Sequence, residues 1–505
     1  MSTKFVYIFA VILFFETHNA YGAGTLRFAD YYHSHMVLQM APARAQLWGY
    51  AATVGDTVNV KLNGTNVGTA TVTRRHDGHA GGIWSTLLPA QNAGGPVTVD
   101  IRSHDGHVVL TDVLFGDVWV CSGQSNMAFT LGGVLNHSVE LEHSSHFDNI
   151  RIMKVALRSS NVTKEEPVIA LPWRKTLADK YTNAFSAVCL LYAEELSPHI
   201  NRPIGLVETA WGGTPIEAWS SPDALANCTH RMKRGPRQHS VLWNAMVYPL
   251  LKMTIFGAIW YQGEANIRHP DDYACQFPAM IDDWRAKFNA ASKHQTSKQF
   301  PFGFVQLAAN ANKTLHFGFP DLRWSQTANY GYVPNPRLQN VFMAIAMDLP
   351  DYNSTRGTIH PRDKQDVAKR LALAGRAVAY KESNLDFQGP IPDDFTQTGN
   401  KLIIEFDHGN SAIEVRKTDG FELCCGNTVN HTCHHNAWKP APIVEHDQST
   451  VTIDTSACHG TTNVVAAVRY AWEMSPCEFK MCPLYDSNND LPAATFVKYG
   501  PFKTQ

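Results

Sequence analysis

The stretch CSGQSNM, residues 121–127, follows the apolar run VLFGDVWV and places two serines within four residues. A serine hydroxyl becomes a useful nucleophile only when a base accepts its proton. His360, in TIHP, is the natural base, because an imidazole titrates near working pH. Acyl transfer also needs N–H donors aimed at the developing oxyanion, each commonly worth ~3 kcal/mol of barrier. Gly212 and Gly213, in WGGTPIEAW, supply amides unobstructed by side chains, and the Gln262 side chain in WYQGEAN can donate too. The amide of Ser125, at an expected helix N-terminus, completes the set with a favourable dipole. Ser122 sits closer to the strand and reads as a turn or cap residue. Taken singly, these features have plainer explanations as a helix cap, a glycine turn and a His-Pro helix start. Their joint position after successive apolar runs favours nucleophilic ester chemistry.

Those runs are DVWVC (117–121), PIGLVETA (203–210), FGAIWYQ (256–262), PFGFVQLA (301–308) and VFMAIAMD (341–348). Short, continuous apolar stretches of this kind suit parallel strands buried on both faces. Segments with helical period lie between them, at AFSAVCLLYAEEL (184–196) and within DDYACQFPAMIDDWRAKFNA (271–290), where Pro278 is expected to mark a break or a start. His360-Pro361 is expected to open a third helix, on which Val367, Leu371, Ala374 and Val378 share one apolar face. Strands alternating with helices predict a three-layer α/β/α domain with a parallel sheet over residues 112–385. Ligands in such sheets bind beyond the carboxyl ends of the strands. Residues 23–111 and 386–505 instead show period-two alternation broken by Gly, Asn and Pro, which predicts flanking antiparallel β domains.

At 505 residues the chain exceeds one ordinary core, so two or three domains are expected. Lys+Arg 43 against Asp+Glu 45 gives a formal charge of -2, which offers no electrostatic case for nucleic acid or an anionic membrane surface. Residues 1–22 carry one lysine, an apolar run from Phe5 to Phe15 and small residues near Ala20–Gly22, the layout of a cleaved secretory signal. No later stretch is long and apolar enough to span a membrane. Seven sequons, at Asn63, Asn136, Asn161, Asn227, Asn312, Asn353 and Asn430, predict a glycosylated surface. Ten cysteines, six of them within Cys424–Cys482, point to disulfides rather than zinc, since CCGNTVNHTCHH lacks a clean CxxC pair. The run from Arg231 to Arg237 reads as an exposed loop, with processing after Arg234 as the alternative.

The blocks GDVWVCSGQSNM, ETAWGGTPIEAW, WYQGEAN and TIHPRDKQDVAKRLAL resemble the signature blocks of the sialate O-acetylesterases, SGNH-hydrolase-like carbohydrate esterases. RFADYYHSHMVLQMAPARAQLWG, HSVLWNAMVYPLL and VVAAVRYAWEMSPCEFKMCPLYDSNNDLPAATF extend the likeness over essentially the whole mature chain. The resemblance implies hydrolysis of O-acetyl esters on sialic acids or sialoglycans, without metal or organic cofactor, in a secreted or lysosomal protein. Ser125 then matches the nucleophile and His360 the base, and Gly212 or Gly213 falls in the oxyanion block. Gln262 stands where other members of the wider group carry an Asn. Many of those enzymes also carry Asp-x-x-His, but the residue three before His360 is Gly357. The imidazole is therefore oriented either by Asp348, Asp351 or Glu264, with Asp348 the first choice, or by a backbone carbonyl. Trp211, Glu264 and Arg323 are candidate substrate contacts. Two rivals stay open: an acetylesterase for another glycan such as xylan, and a non-catalytic carbohydrate-binding protein.

Overall fold

The strand Gly106–Gly123 (β1) carries two patterns in succession. Its first half alternates between exposed and buried residues and pairs antiparallel with Gly94–Ser103. From Phe115 onward every residue is buried, and from Asp117 it runs parallel between two other strands. The computed structural model describes residues 25–75, 79–226, 228, 238–311, 315–407, 412–428, 431–434, 437–458 and 464–504. The expected signal segment, the basic run 231–237 and the sequons at Asn227, Asn312 and Asn430 lie outside them.

The other strands of the central sheet are Ile150–Val155 (β2), Ile169–Lys175 (β3), Ile204–Ala210 (β4), Gly257–Tyr261 (β5), Phe302–Gln306 (β6) and Val341–Ile345 (β7). Their order is β3-β2-β4-β1-β5-β6-β7, and all neighbours are parallel except β3 against β2 at the edge. Each apolar run read from the sequence supplies one strand, because a strand covered on both faces has no polar side to alternate. The chain winds to one side of β1 and then to the other. That reversal opens a crevice beyond the ends of β1, β4 and β5.

Helices Ala187–Ile200 (α1), Pro270–Ala291 (α2) and Gln365–Val378 (α3) cover the sheet. Trp119 on β1 meets Tyr192 of α1 edge-on at 5.2 Å, and a Cβ on Gly375 of α3 would come within 2.8 Å of the Tyr192 hydroxyl. Trp119 is in register with Gly257, so Trp260, three residues on, faces the opposite layer. There it packs on Trp284 of α2 at 6.1 Å, beside Phe277 against Phe304. Each fully buried indole removes ~200 Å² from water, about 5 kcal/mol of gross transfer free energy.

Three local expectations are corrected. The helix α2 runs through Pro278, which is buried on its packed side, with no break. The helix after His360 begins at Gln365, four residues beyond Pro361, because Gly357, His360 and Arg362 close tight turns first. Val367, Leu371, Ala374 and Val378 are all buried on it as the spacing requires. The boundary expected at 111/112 falls inside β1, where Asp112 adopts a φ of 53°. Four of the N-terminal strands, Val37–Gln39, Thr57–Leu62, Thr65–Thr71 and Gly94–Ser103, therefore join the α/β strands in one eleven-stranded sheet, while four others form a separate sheet, and both pack into one buried cluster with the α/β layers.

Beyond α3, a five-stranded and a four-stranded sheet form a second core, to which Ile345 and Met347 at the end of β7 contribute. All ten cysteines are paired: Cys121–Cys189, Cys228–Cys275, Cys424–Cys433, Cys425–Cys458 and Cys477–Cys482. The first joins the end of β1 to α1, four residues before Ser125. Among the described residues no helix is long and apolar enough to cross a membrane.

Candidate active site

Three glycines set the shape of the crevice. Gly123 closes β1 with a φ of 136°, and a Cβ there would meet the Tyr261 carbonyl at 2.3 Å. The chain leaves the strand through the turn that holds Ser125, not through a helix, so the expected helix dipole is absent at this residue. Beyond β4, a Cβ on Gly212 would lie 3.3 Å from the Ser125 Cβ and 3.9 Å from its amide nitrogen. Gly213 turns the chain with a φ of 71°. Among the described residues, the amides of Ser125 and Gly212 donate to no other protein group.

Ser125 Oγ lies 2.8 Å from His360 Nε2. On the far side of the ring, His360 Nδ1 is 2.8 Å from the Arg356 carbonyl oxygen. A carbonyl only accepts, so Nδ1 carries the hydrogen and Nε2 presents its lone pair to the serine. The loop that holds the imidazole is pinned at several points. Ser354 Oγ donates to the His360 carbonyl, Thr358 Oγ1 to Asn310 Oδ1, and Arg362 forks onto Asp351 at 2.7 and 3.0 Å.

None of the three carboxylates orients the ring. Asp348, the first choice from sequence, is fully buried and held by Arg370 at 2.6 and 2.8 Å and by the Tyr485 hydroxyl at 3.0 Å. It anchors α3 and the C-terminal module to the end of β7, too fully committed to reach the imidazole. Asp351 is occupied by Arg362, which holds its carboxyl below the usual range. Glu264 accepts from Asn126 Nδ2 at 2.6 Å, and burial pushes its carboxyl up.

Two further expectations fail on geometry. Gln262 is fully buried and spends its Nε2 on the Thr214 carbonyl and on Asn266 Oδ1, so it presents no donor to the crevice. Arg323 is also fully buried, with its guanidinium on the carbonyls of Leu307, Ala308, Glu473 and Met474. It fastens the C-terminal module to α/β loops, and a sugar cannot reach it. Trp211 is half-buried and packs against the core; its amide donates to the Gly123 carbonyl. Ser122 is buried within β1 and has no access to solvent.

The Ser125–His360 pair sits between two cavities. One, of about 580 Å³, is lined by Gln124, Ser125, Gly212, Gly213, Pro215, Glu264, Ala265, Ile359 and His360. The other, of about 240 Å³, is lined by Ser125, Ala128, Phe129, Thr130, Gly133, Arg356 and His360. A tighter space of about 50 Å³ lies against β7 and the C-terminal module; its charged liner, Arg370, is already bound to Asp348.

Beneath the pair is a network that motif reading did not assign. Asn126 Nδ2 donates to Glu264 and to the Ile359 carbonyl at 2.9 Å, while Asn126 Oδ1 accepts from Lys364 Nζ at 2.7 Å. Lys364 is fully buried near the rings of Phe129 and Tyr261, and desolvation pulls its ammonium down to about 7. Asn126 thus ties the serine turn to the histidine loop. Both residues stand inside the quoted blocks, beside Ser125 and four after His360, but nothing local to the sequence says that they meet.

Residues 115–374 match the family described as carbohydrate esterase, sialic acid-specific acetylesterase, and residues 393–500 match the sialate O-acetylesterase C-terminal domain. The chain is 41% identical to the sialate O-acetylesterase of Homo sapiens, over 94% of this chain and 92% of that protein. It is 39% identical to that of Mus musculus, over 97% of each. The crystal structure of a carbohydrate acetylesterase from Xanthomonas citri superposes with a TM-score of 0.78 at 28% identity, covering 94% of this chain and 99% of that one. With the family matched over half the chain and both relatives matched almost end to end, the chain belongs to the sialic acid-specific acetylesterase family of carbohydrate esterases.

Proposed function

We propose that this protein hydrolyses O-acetyl esters of sialic acids through a Ser125–His360 dyad. The observation that carries the reading is the 2.8 Å contact from Ser125 Oγ to a His360 ring whose tautomer the Arg356 carbonyl fixes. His360 Nε2 takes the serine proton as Oγ attacks the acetyl carbonyl. The amides of Ser125 and Gly212, adjacent and without intraprotein partners among the described residues, receive the oxyanion. Gly213 shapes that turn. The C–O bond to the sugar then breaks, its oxygen takes the proton from Nε2, and an acetyl-Ser125 ester remains. Water, deprotonated by Nε2, attacks this ester; acetate leaves and Oγ regains its hydrogen.

Glu264 walls the larger cavity, where its buried carboxyl supports a contact to substrate hydroxyls. The secretory pathway, ending outside the cell or in the lysosome, is the proposed location. Five disulfides need an oxidising compartment, and the described sequon residues Asn63, Asn136, Asn161 and Asn353 are all exposed for glycosylation.

The test is acetate release from O-acetylated sialic acid and from acetylated xylan, by the parent protein and by Ser125→Ala. The parent should act on the sialate ester and favour it over xylan. The variant should lose about 10⁴-fold or more in kcat while keeping its circular dichroism. Turnover by Ser125→Ala refutes the nucleophile, and preference for xylan refutes the substrate class.

A further inference from the structure

We infer that Arg356 is the residue that grips the substrate's carboxylate and makes this site selective for acidic sugars. The inference rests on the sialate-ester reading and extends it to the 240 Å³ cavity. As the ester breaks, His360 Nε2 must pass its proton to the sugar oxygen, so the departing sugar lies against the imidazole. That ring borders both cavities. On one side stand the amides suited to the oxyanion, together with the Glu264 carboxyl. On the other, Phe129, Thr130 and Gly133 form a wall with Arg356, the one arginine or lysine among the described residues that line either cavity.

Arg356 is exposed, and its guanidinium has no ion pair or hydrogen bond with any described residue. Other cations among the described residues are engaged: Arg362 on Asp351, Lys364 on Asn126, and Arg323 on backbone carbonyls. A carboxylate in the Glu264 cavity would face another acid, whereas beside Arg356 it meets a planar fork of N–H donors. The placement is also coupled to the catalysis, because the Arg356 carbonyl holds His360 Nδ1. One residue therefore fixes the base through its backbone and offers the charge through its side chain. Gly357, with a φ of 87°, lets the chain make this turn.

The experiment compares kcat/KM for O-acetylated sialic acid with that for its methyl ester, in which the carboxylate charge is masked. The parent should prefer the free acid by about 10–100-fold, the worth of a charge-assisted pair. Arg356→Gln should bring that ratio near one, and Arg356→Lys should keep part of it, since an ammonium supplies charge without the fork. Inhibition by the product sialic acid should weaken in Arg356→Gln in parallel. A ratio that stays high in Arg356→Gln overturns the inference while leaving the esterase reading in place. Equal loss on both esters with the ratio intact does the same, since it marks a disturbed His360 loop. A folded parent that releases acetate from neither ester overturns both.

Discussion

Lys364 offers the sharpest test of the buried network. Its ammonium is fully buried and held at about 7 against 10.5 in an unfolded chain, with desolvation as the dominant cause. The folded state therefore releases a proton that the unfolded state keeps over that 3.5-unit window, since 10.5 − 7 = 3.5. The resulting penalty on folding, about 5 kcal/mol at most, is fully present below pH 7 and is relieved as pH rises towards 10.5. Stability should climb with a slope of about 1.2 kcal/mol per pH unit near pH 8, or roughly 2 kcal/mol from pH 7 to 9. Lys364→Met keeps the length of the side chain between Phe129 and Tyr261 but cannot titrate. Guanidinium unfolding of both proteins at pH 7, 8 and 9, followed by tryptophan fluorescence, reads the difference. The parent should gain about 2 kcal/mol on the variant across that range. Parallel profiles would refute a buried, deprotonating Lys364. The same variant should also lower kcat, because Asn126 loses the partner that steadies its grip on the Ile359 carbonyl.

Glu194 titrates in the opposite sense: burial pushes its carboxyl up to about 8 from 4.5, so its stabilising share is present below pH 4.5 and lost as pH rises through 8. Glu194→Gln should therefore gain roughly 2–3 kcal/mol on the parent between pH 6 and 9 in the same unfolding assay. Asp348→Asn breaks a buried pair with Arg370 and should cost about 3–5 kcal/mol of stability. In the refolded or low-temperature enzyme, kcat/KM should stay within about tenfold, against the ~10⁴-fold loss expected of a residue that orients the base. Gly212→Ala puts a methyl group 3.3 Å from the Ser125 Cβ and should lower kcat about 10–100-fold with little change in the melting temperature. Gln262→Met should do the reverse, lowering the melting temperature and sparing kcat, because its amide serves Thr214 and Asn266.

Much of the architecture could be read along the chain. Continuous apolar runs marked the parallel strands because both faces of each are covered, and the four-three-four spacing marked the buried face of α3. Element ends were less legible. Pro278 sits inside α2, where its neighbours' packing outweighs one missing amide, and the turns at 357–364 delay α3 beyond the His-Pro pair. Ser125 and His360 could be proposed as nucleophile and base from residue type and their place after strands, and the fold sets their side chains 2.8 Å apart. Ser122 was separable from Ser125 for the same reason.

By itself, then, the sequence determined which residue types could react and which strand ends would carry them, since those properties are local. Only the tertiary structure decided how the polar atoms are spent. Asp348, Gln262 and Arg323 have the right chemistry and adjacent positions, but each is buried against a partner distant in sequence: Tyr485, 137 residues away, Thr214, 48 away, and Met474, 151 away. Hydrogen-bond valence is limited, so an atom satisfied by a distant partner is withdrawn from the site, and sequence spacing does not record that. The same folding brings Asn126 and Lys364, 238 residues apart, to 2.7 Å, and hands the orientation of His360 to a backbone carbonyl that carries no residue-type signature at all.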